Sequence, residues 1–280
     1  MARNKKIAAE TPEHDTSPTN RYSRILCEIF KRHYKSGADE IHFRRDELTE
    51  VAASLKIDLP KNLGDLIYTF RHRAQLPAEI RKYAPAGKHW IIRSGGSAKY
   101  VFAAILHDAK ITANNLLITT KVPESTPGII SKYALNDEQA VLAKIRYNRL
   151  IDLFLGINCY SLQNHMRTQT KKLGQIEIDE VYVGVDRKGV HYIIPVQAKG
   201  PRDRIGIVQL EQDFEVCRTK FPGLIARPVA AQLLNDYSIA LFELELIEGE
   251  IKVSREAHYA LVPHEQISSE DLDNYRKILG

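Results

Sequence analysis

The residues best placed to do chemistry lie between Gln175 and Lys199. Glu177 and Asp179 are two residues apart, so on a strand they share one face. Gln197 and Lys199 repeat that spacing further on. A strand and its returning partner would therefore bring acids, an amide and an ammonium together. That set suits metal-dependent phosphodiester hydrolysis, in which a divalent cation takes oxygen ligands and the attacking water needs a nearby positive charge. Asp179 sits within the apolar alternation Ile176, Ile178, Val181, Val183, where an unpaired charge is costly and a bound cation would offset the cost. Gln197 can offer a neutral carbonyl or position water. Lys199 ends the apolar run Tyr192–Val196 before Gly200-Pro201, where an ammonium can stabilise a pentavalent phosphate or orient the attacking water. Glu177, and Glu180 on the opposite face, are candidate supporting acids.

These residues need a frame. A helix is expected from about Asp137 to Leu155, capped by Asn136 or Asp137 and ended by Gly156, with Val141, Leu142, Ile145, Leu150, Ile151, Phe154 and Leu155 buried. Glu138 lies one turn before Val141 and Leu142, either exposed at the helix start or turned toward a site. Residues 163–167, with His165 and Arg167, read as an exposed polar loop. After the hairpin come a helix over Arg202–Lys220, a strand over Ile225–Ala230, and a second hairpin, Ser238–Ile247 with Ile251–Val253, turning at Glu248-Gly249-Glu250. This order predicts an α/β core whose sheet is flanked by helices.

Asp179, a gap of seventeen residues and then Gln197-Ala198-Lys199 resembles the PD-(D/E)XK nuclease superfamily, in the variant where Gln stands for the second acid. Ile178 occupies the place of the motif's Pro. The resemblance covers about residues 134–250 and implies a restriction-endonuclease-like core, a mixed sheet flanked by helices. It also implies a further acid from the first helix, for which Glu138 is the match. Mg²⁺ (or Mn²⁺) held by Asp179 and Gln197 would polarise a scissile phosphate in double-stranded DNA, with Lys199 assisting the water. A type II restriction endonuclease, dimeric if it cuts both strands of a symmetric site, is the leading expectation. A DNA-binding regulator with an inactive nuclease-like domain and a structure-specific repair nuclease remain open.

The N-terminal half supplies a reason to meet DNA. The net charge is +5, but residues 1–110 hold 20 Lys and Arg against 13 Asp and Glu, and the remainder 20 against 22. A basic half beside a slightly acidic one fits a nucleic-acid-binding module joined to another unit. Residues 1–20 read as a disordered arm. Then come a helix (Arg21–Tyr34), a short strand (Ile41–Phe43), a helix capped by Asp46, a third helix near Lys61–Arg73, and strands Lys88–Arg93 and Ala98–Ala104 around Ser94-Gly95-Gly96-Ser97. That is the order of a winged helix-turn-helix. Its third helix would offer Lys61, Asn62, Tyr68, Arg71, His72 and Arg73 to a major groove. Gln209 is a candidate phosphate contact on the later helix. The expected organisation is an arm (1–20), a winged-helix domain (21–107), a linker (108–133) with one strand at Leu116–Thr119, and the nuclease-like domain (134–280).

At 44% hydrophobic and 27% charged residues the composition is that of a globular protein. No apolar run approaches the length of a bilayer span, and the start lacks a secretory apolar core, which points to the cytoplasm and away from membranes. Cys27, Cys159 and Cys217 are widely spaced, so neither a disulfide framework nor a Cys-based zinc site is expected.

Overall fold

A computed structural model describes residues 18–59, 63–106, 110–134, 137–170, 173–203 and 205–278. The chain is mixed α/β. Helix α1 (Pro18–His33) leads to β1 (Glu40–Arg44), α2 (Arg45–Ser54), and α3 (Gly64–Tyr68), which continues as a π-helical turn over Thr69–Arg73. A short α4 (Ala78–Arg81) precedes β2 (His89–Ser94) and β3 (Lys99–Ile105). These strands form an antiparallel sheet in the order β1-β3-β2. The expected helix, strand, helix, helix, hairpin order is present. Arg44, not Asp46, is the residue preceding α2, and its N–H donates to the Glu47 carboxylate at 2.7 Å. Lys61 and Asn62 lie outside the described residues, as does most of the expected arm.

The small sheet is buried on both faces, which is why β2 and β3 read as nearly continuous apolar runs. Trp90, Ile92 and Phe102 pack with Ile25, Leu26, Ile29, Phe30, Leu66 and Phe70 of the helices. The intervening Ile91, Val101 and Ala103 face away, into a cluster with Val208, Leu210, Ala230, Ala240 and Phe242 of the later half. Strand alternation therefore docks the N-terminal unit onto the rest of the chain.

The stretch after β3 contains β4 (Lys110–Ile111), β5 (Thr119–Pro123) and α5 (Gly128–Tyr133). The strand expected at Leu116–Thr119 instead begins at Thr119, and it forms an edge of the large sheet. Next come α6 (Glu138–Tyr147), α7 (Leu150–Leu155), β6 (Asn158–Thr170), β7 (Gly174–Val185), β8 (His191–Lys199), β9 (Ile205–Gly206) and α8 (Ile207–Lys220). The chain closes with β10 (Ile225–Ala226), β11 (Val229–Leu233), β12 (Ile239–Ile247), β13 (Glu250–Val262), a 3₁₀ turn, and α9 (Ser269–Ile278). The large sheet runs β5-β13-β12-β11-β8-β7-β6, with β10 also beside β8. It is mixed: β8 is parallel to β10 and β11, β5 is parallel to β13, and the other pairs are antiparallel.

Helices flank both faces of this sheet. Val141, Leu142 and Ile145 of α6 and Leu150, Ile151 and Phe154 of α7 pack on Tyr182, Ile194, Val196, Ala231 and Leu241. On the other face, Val216 and Cys217 of α8 meet Ile176, Ile178, Val181 and Ile193. The single helix expected over 137–155 is two helices. Asn148, 6% exposed, uses its side chain to accept from Ser125 N–H (2.6 Å) and to donate to Thr126 Oγ1 (2.8 Å) and the Lys144 carbonyl (2.9 Å). Arg149 then takes φ 49°, in the left-handed region, which interrupts the helix before α7 begins at Leu150. Gly156 ends α7 with φ 68°, a left-handed conformation that glycine adopts without a Cβ penalty. The segment expected as a polar loop at 163–167 belongs to β6, a sheet-edge strand whose exposed residues hid it. Among the described residues no helix is long and apolar enough to cross a membrane.

Candidate functional site

The site grows from a place where two central strands part. β7 and β8 pair from Val185↔His191 to Glu180↔Val196, and their ladder stops there. One residue further, the Asp179 side chain takes over and accepts the Ala198 backbone N–H at 2.9 Å. Ile178 and Val181 both pack toward α8, while Glu180 between them is fully buried and pairs with Arg146 of α6. Simple alternation is thus broken at Asp179, and its carboxylate lies at the opening between the strands.

Across that opening lie Gln197 and Lys199, two residues apart at the end of β8. Lys199 Nζ donates to Glu138 Oε1 at 2.5 Å. Glu138 is the first residue of α6, after the Asp137 cap, whose side chain accepts Ala140 N–H at 2.9 Å. Capping therefore fixes the helix start at the point from which Glu138 can reach the strand end. The Lys199 side chain is 11% exposed. Burial works against its charge, but the Glu138 hydrogen bond, followed by the electrostatic pull of Asp179, Glu138 and Tyr68, holds its pKa above the ordinary value. Asp179 is pushed up to about 6, first by burial and further by Glu138. Lys199, the Ala198 N–H and His165 oppose the rise.

Gln197 is 1% exposed and turns its amide toward α8. Its Nε2 donates to Asp213 Oδ1 at 3.0 Å and lies 3.5 Å from the Glu177 carbonyl. Asp213 is completely buried. Burial drives its carboxyl well above the carboxylate range, Asp179 adds to the rise, and the Gln197 hydrogen bond and Lys199 oppose it. Sequence reasoning passed over Asp213. Its signal was an acid on the apolar stripe of α8, three residues after Leu210 and three and four before Val216 and Cys217.

Of the residues singled out in the sequence, Asp179, Lys199 and Glu138 therefore converge, and Gln197, two residues before Lys199 on β8, turns its amide to α8. Glu177 does not join them through its side chain. That side chain is exposed and pairs with Arg167 and His165 of β6 at 3.3 Å, while only its backbone carbonyl faces Gln197. Glu180 is bound from the α6 side by Arg146 through two nitrogens at 2.8 and 2.9 Å, and by Ser161 at 2.6 Å, a structural pairing. Tyr68, 46% exposed on α3, lies close enough to Lys199 to act on its charge. Arg71 is half-buried, and burial lowers its pKa against the pull of Tyr100 and Glu211. The side chains of His72 and Arg73 lie outside the described residues. Gln209 is half-buried on α8, one turn before Asp213 and on the same face. Arg93 of β2 forks onto Glu211 of α8, with Nε to Oε2 at 2.9 Å, so the N-terminal unit abuts the helix that carries Asp213.

The divalent cation implied by the sequence resemblance can be tested against these donors. Among the described residues no three His, Cys, Asp or Glu side chains form a metal-holding cluster. Yet Gln197 Oε1 and Asp213 Oδ2 are both buried without a hydrogen-bond partner. Such oxygens are costly to leave unmatched. A hard cation that keeps several waters and needs only one or two carboxylates, as Mg²⁺ does, suits this donor set. No protein-family model, curated protein or solved structure matches the chain.

Proposed function

We propose that the protein is a divalent-cation-dependent endonuclease acting on double-stranded DNA, with a restriction-endonuclease-like core of the PD-(D/E)XK kind preceded by a winged helix-turn-helix. The observation that carries this reading is the meeting of Asp179 and Lys199 with Glu138 where β7 and β8 part, next to Gln197 on β8. A partly buried acid and ammonium next to a buried amide at one sheet opening have little structural purpose, since each costs more to take from water than an apolar side chain of similar size. Perturbed groups gathered in this way are candidates for catalysis.

Asp179 and Gln197 would hold the cation. Bound there, it would supply Lewis-acid polarisation of the phosphate and a more acidic water. Lys199, held in place by Glu138, would place its positive charge against the phosphate oxygens as negative charge builds. The basic N-terminal half docks beside α8 and brings Tyr68 to the margin of the site. DNA gripped by that half would thereby pass the opening. Two copies related by a two-fold axis would cut both strands of a symmetric sequence.

The test is incubation with mixed-sequence DNA, with Mg²⁺ and with chelator. Discrete fragments are expected with Mg²⁺ only, and none from Asp179→Ala or Lys199→Ala. Undiminished cleavage by both variants would overturn the reading, as would specific binding without cleavage at every Mg²⁺ concentration. Preference for branched over linear DNA would move the substrate from restriction to repair.

A further inference from the structure

The strand position that carries a second acid in the resembled motif holds Gln197 here, and a neutral amide alone is an ambiguous ligand. It has a donor end and an acceptor end, and only the acceptor can face a cation. Something must decide which end points where. In this chain a contact with α8 decides it. Gln197 Nε2 is bound to Asp213 Oδ1 at 3.0 Å, with the Glu177 carbonyl behind it at 3.5 Å. The donor end is thereby tied to α8, and Oε1 is the amide atom left without a partner. Both side chains are almost wholly buried, at 1% and 0% exposure, so water does not compete for the amide.

We propose that Asp213 is a positioning residue for the cation site: it holds the Gln197 amide by its N–H so that the carbonyl oxygen stays free as a ligand beside Asp179. This inference rests on the cation-dependent reading above. It places the acid missing from β8 one layer away, on α8, where it acts through Gln197. A partner that fixes a ligand's orientation in this way typically matters about as much as 10–100-fold in metal affinity.

The experiment is calorimetric titration of the full-length protein with Mn²⁺ at pH 8, without DNA, so that binding is read apart from cleavage. Asp213→Asn is nearly isosteric, but its amide can donate to Gln197 Oε1 and occupy the atom the cation needs. We expect it to weaken Mn²⁺ binding by about tenfold or more. The exchange variant Gln197→Glu/Asp213→Asn reverses the hydrogen bond. The new amide on α8 donates, and the new carboxylate on β8 accepts with one oxygen and keeps the other free. This variant should regain Mn²⁺ affinity near that of the wild type. A role in packing alone would alter melting temperature without this loss and recovery. Wild-type affinity in a folded Asp213→Asn, or a folded exchange variant that binds no Mn²⁺, would overturn the role of Asp213 and leave the nuclease reading standing. Failure of the wild type itself to bind Mn²⁺ would overturn both.

Discussion

Asp179→Asn should stabilise the metal-free protein while abolishing the proposed cleavage. In the fold the Asp179 carboxyl is pushed up to about 6, chiefly by burial, whereas in an unfolded chain it sits near 3.9. A folded pKa above the unfolded one means that between about pH 4 and pH 6 the native state binds more protons than the unfolded state. Stability from this group is therefore greatest below pH 4, falls as pH rises through that window, and is flat above it. Integrated over the window, ionising Asp179 in the fold costs on the order of 3 kcal/mol at neutral pH. Asparagine does not titrate, and its oxygen can still accept the Ala198 N–H that Asp179 now takes at 2.9 Å. A weaker acceptor returns about 1 kcal/mol of that, so the expected gain is about 1–3 kcal/mol at pH 7.5 and close to nothing at pH 4. Urea unfolding of both proteins in chelator at the two pH values measures it. The remaining groups titrate in both proteins and largely cancel in the difference. Parallel stability curves from pH 4 to pH 7 would refute the claim that the ionised carboxylate is held at a cost. Adding millimolar Mg²⁺ at pH 7.5 should then raise the stability of the wild type and not of the variant, because a ligand stabilises only the form that binds it.

Other substitutions probe the frame. Glu138→Gln removes the hydrogen bond that does most to hold Lys199 above its ordinary pKa against burial. The Lys199 pKa should fall, and with it the upper pH limit of cleavage, as a pH–rate profile would show. Arg146→Met strands the fully buried Glu180, which Arg146 binds at 2.8 and 2.9 Å. It should cost about 3–5 kcal/mol in urea unfolding, with much of that recovered by the Arg146→Met/Glu180→Met pair. Gly184→Ala would bring a Cβ within 2.9 Å of Ile157 Cδ1 and 3.1 Å of Ile194 Cδ1. Both isoleucines are buried core residues, so a lowered urea midpoint and a loss of about 1–3 kcal/mol are expected.

What could be read from the sequence divides along physical lines. Elements that bury one stripe or face announced themselves. α1 was visible from Ile25, Leu26, Ile29 and Phe30, the β7–β8 hairpin from its apolar run, and the end of α7 from Gly156. β6 did not, because an edge strand with most side chains exposed carries almost no hydrophobic period. The break between α6 and α7 was hidden for a different reason. It depends on Asn148 satisfying the Ser125–Thr126 turn, a partnership between segments that no local pattern contains. The site shows the same division. Asp179, Gln197 and Lys199 were legible because their short spacings place them on neighbouring strands. Glu177 is drawn away from the site by Arg167 and His165 on β6, a cross-strand pairing that the spacing within β7 does not contain. Ile178 and Val181 both pack toward α8, leaving Asp179 at the strand opening and the Glu177 side chain with Arg167.

Asp213 marks where local reading stops and packing begins. Its distance in sequence from Gln197 is set by the turn between β8 and α8, and only the packing of α8 on the sheet brings the two within 3.0 Å. A buried carboxyl on an apolar stripe is nevertheless a conflict visible in sequence, because burial penalises its ionised form so heavily that it implies a partner. Here that partner is the Gln197 amide on β8. The buried amide on the strand and the buried acid on the helix are one arrangement, because each supplies the hydrogen-bond partner the other lacks in its apolar surroundings.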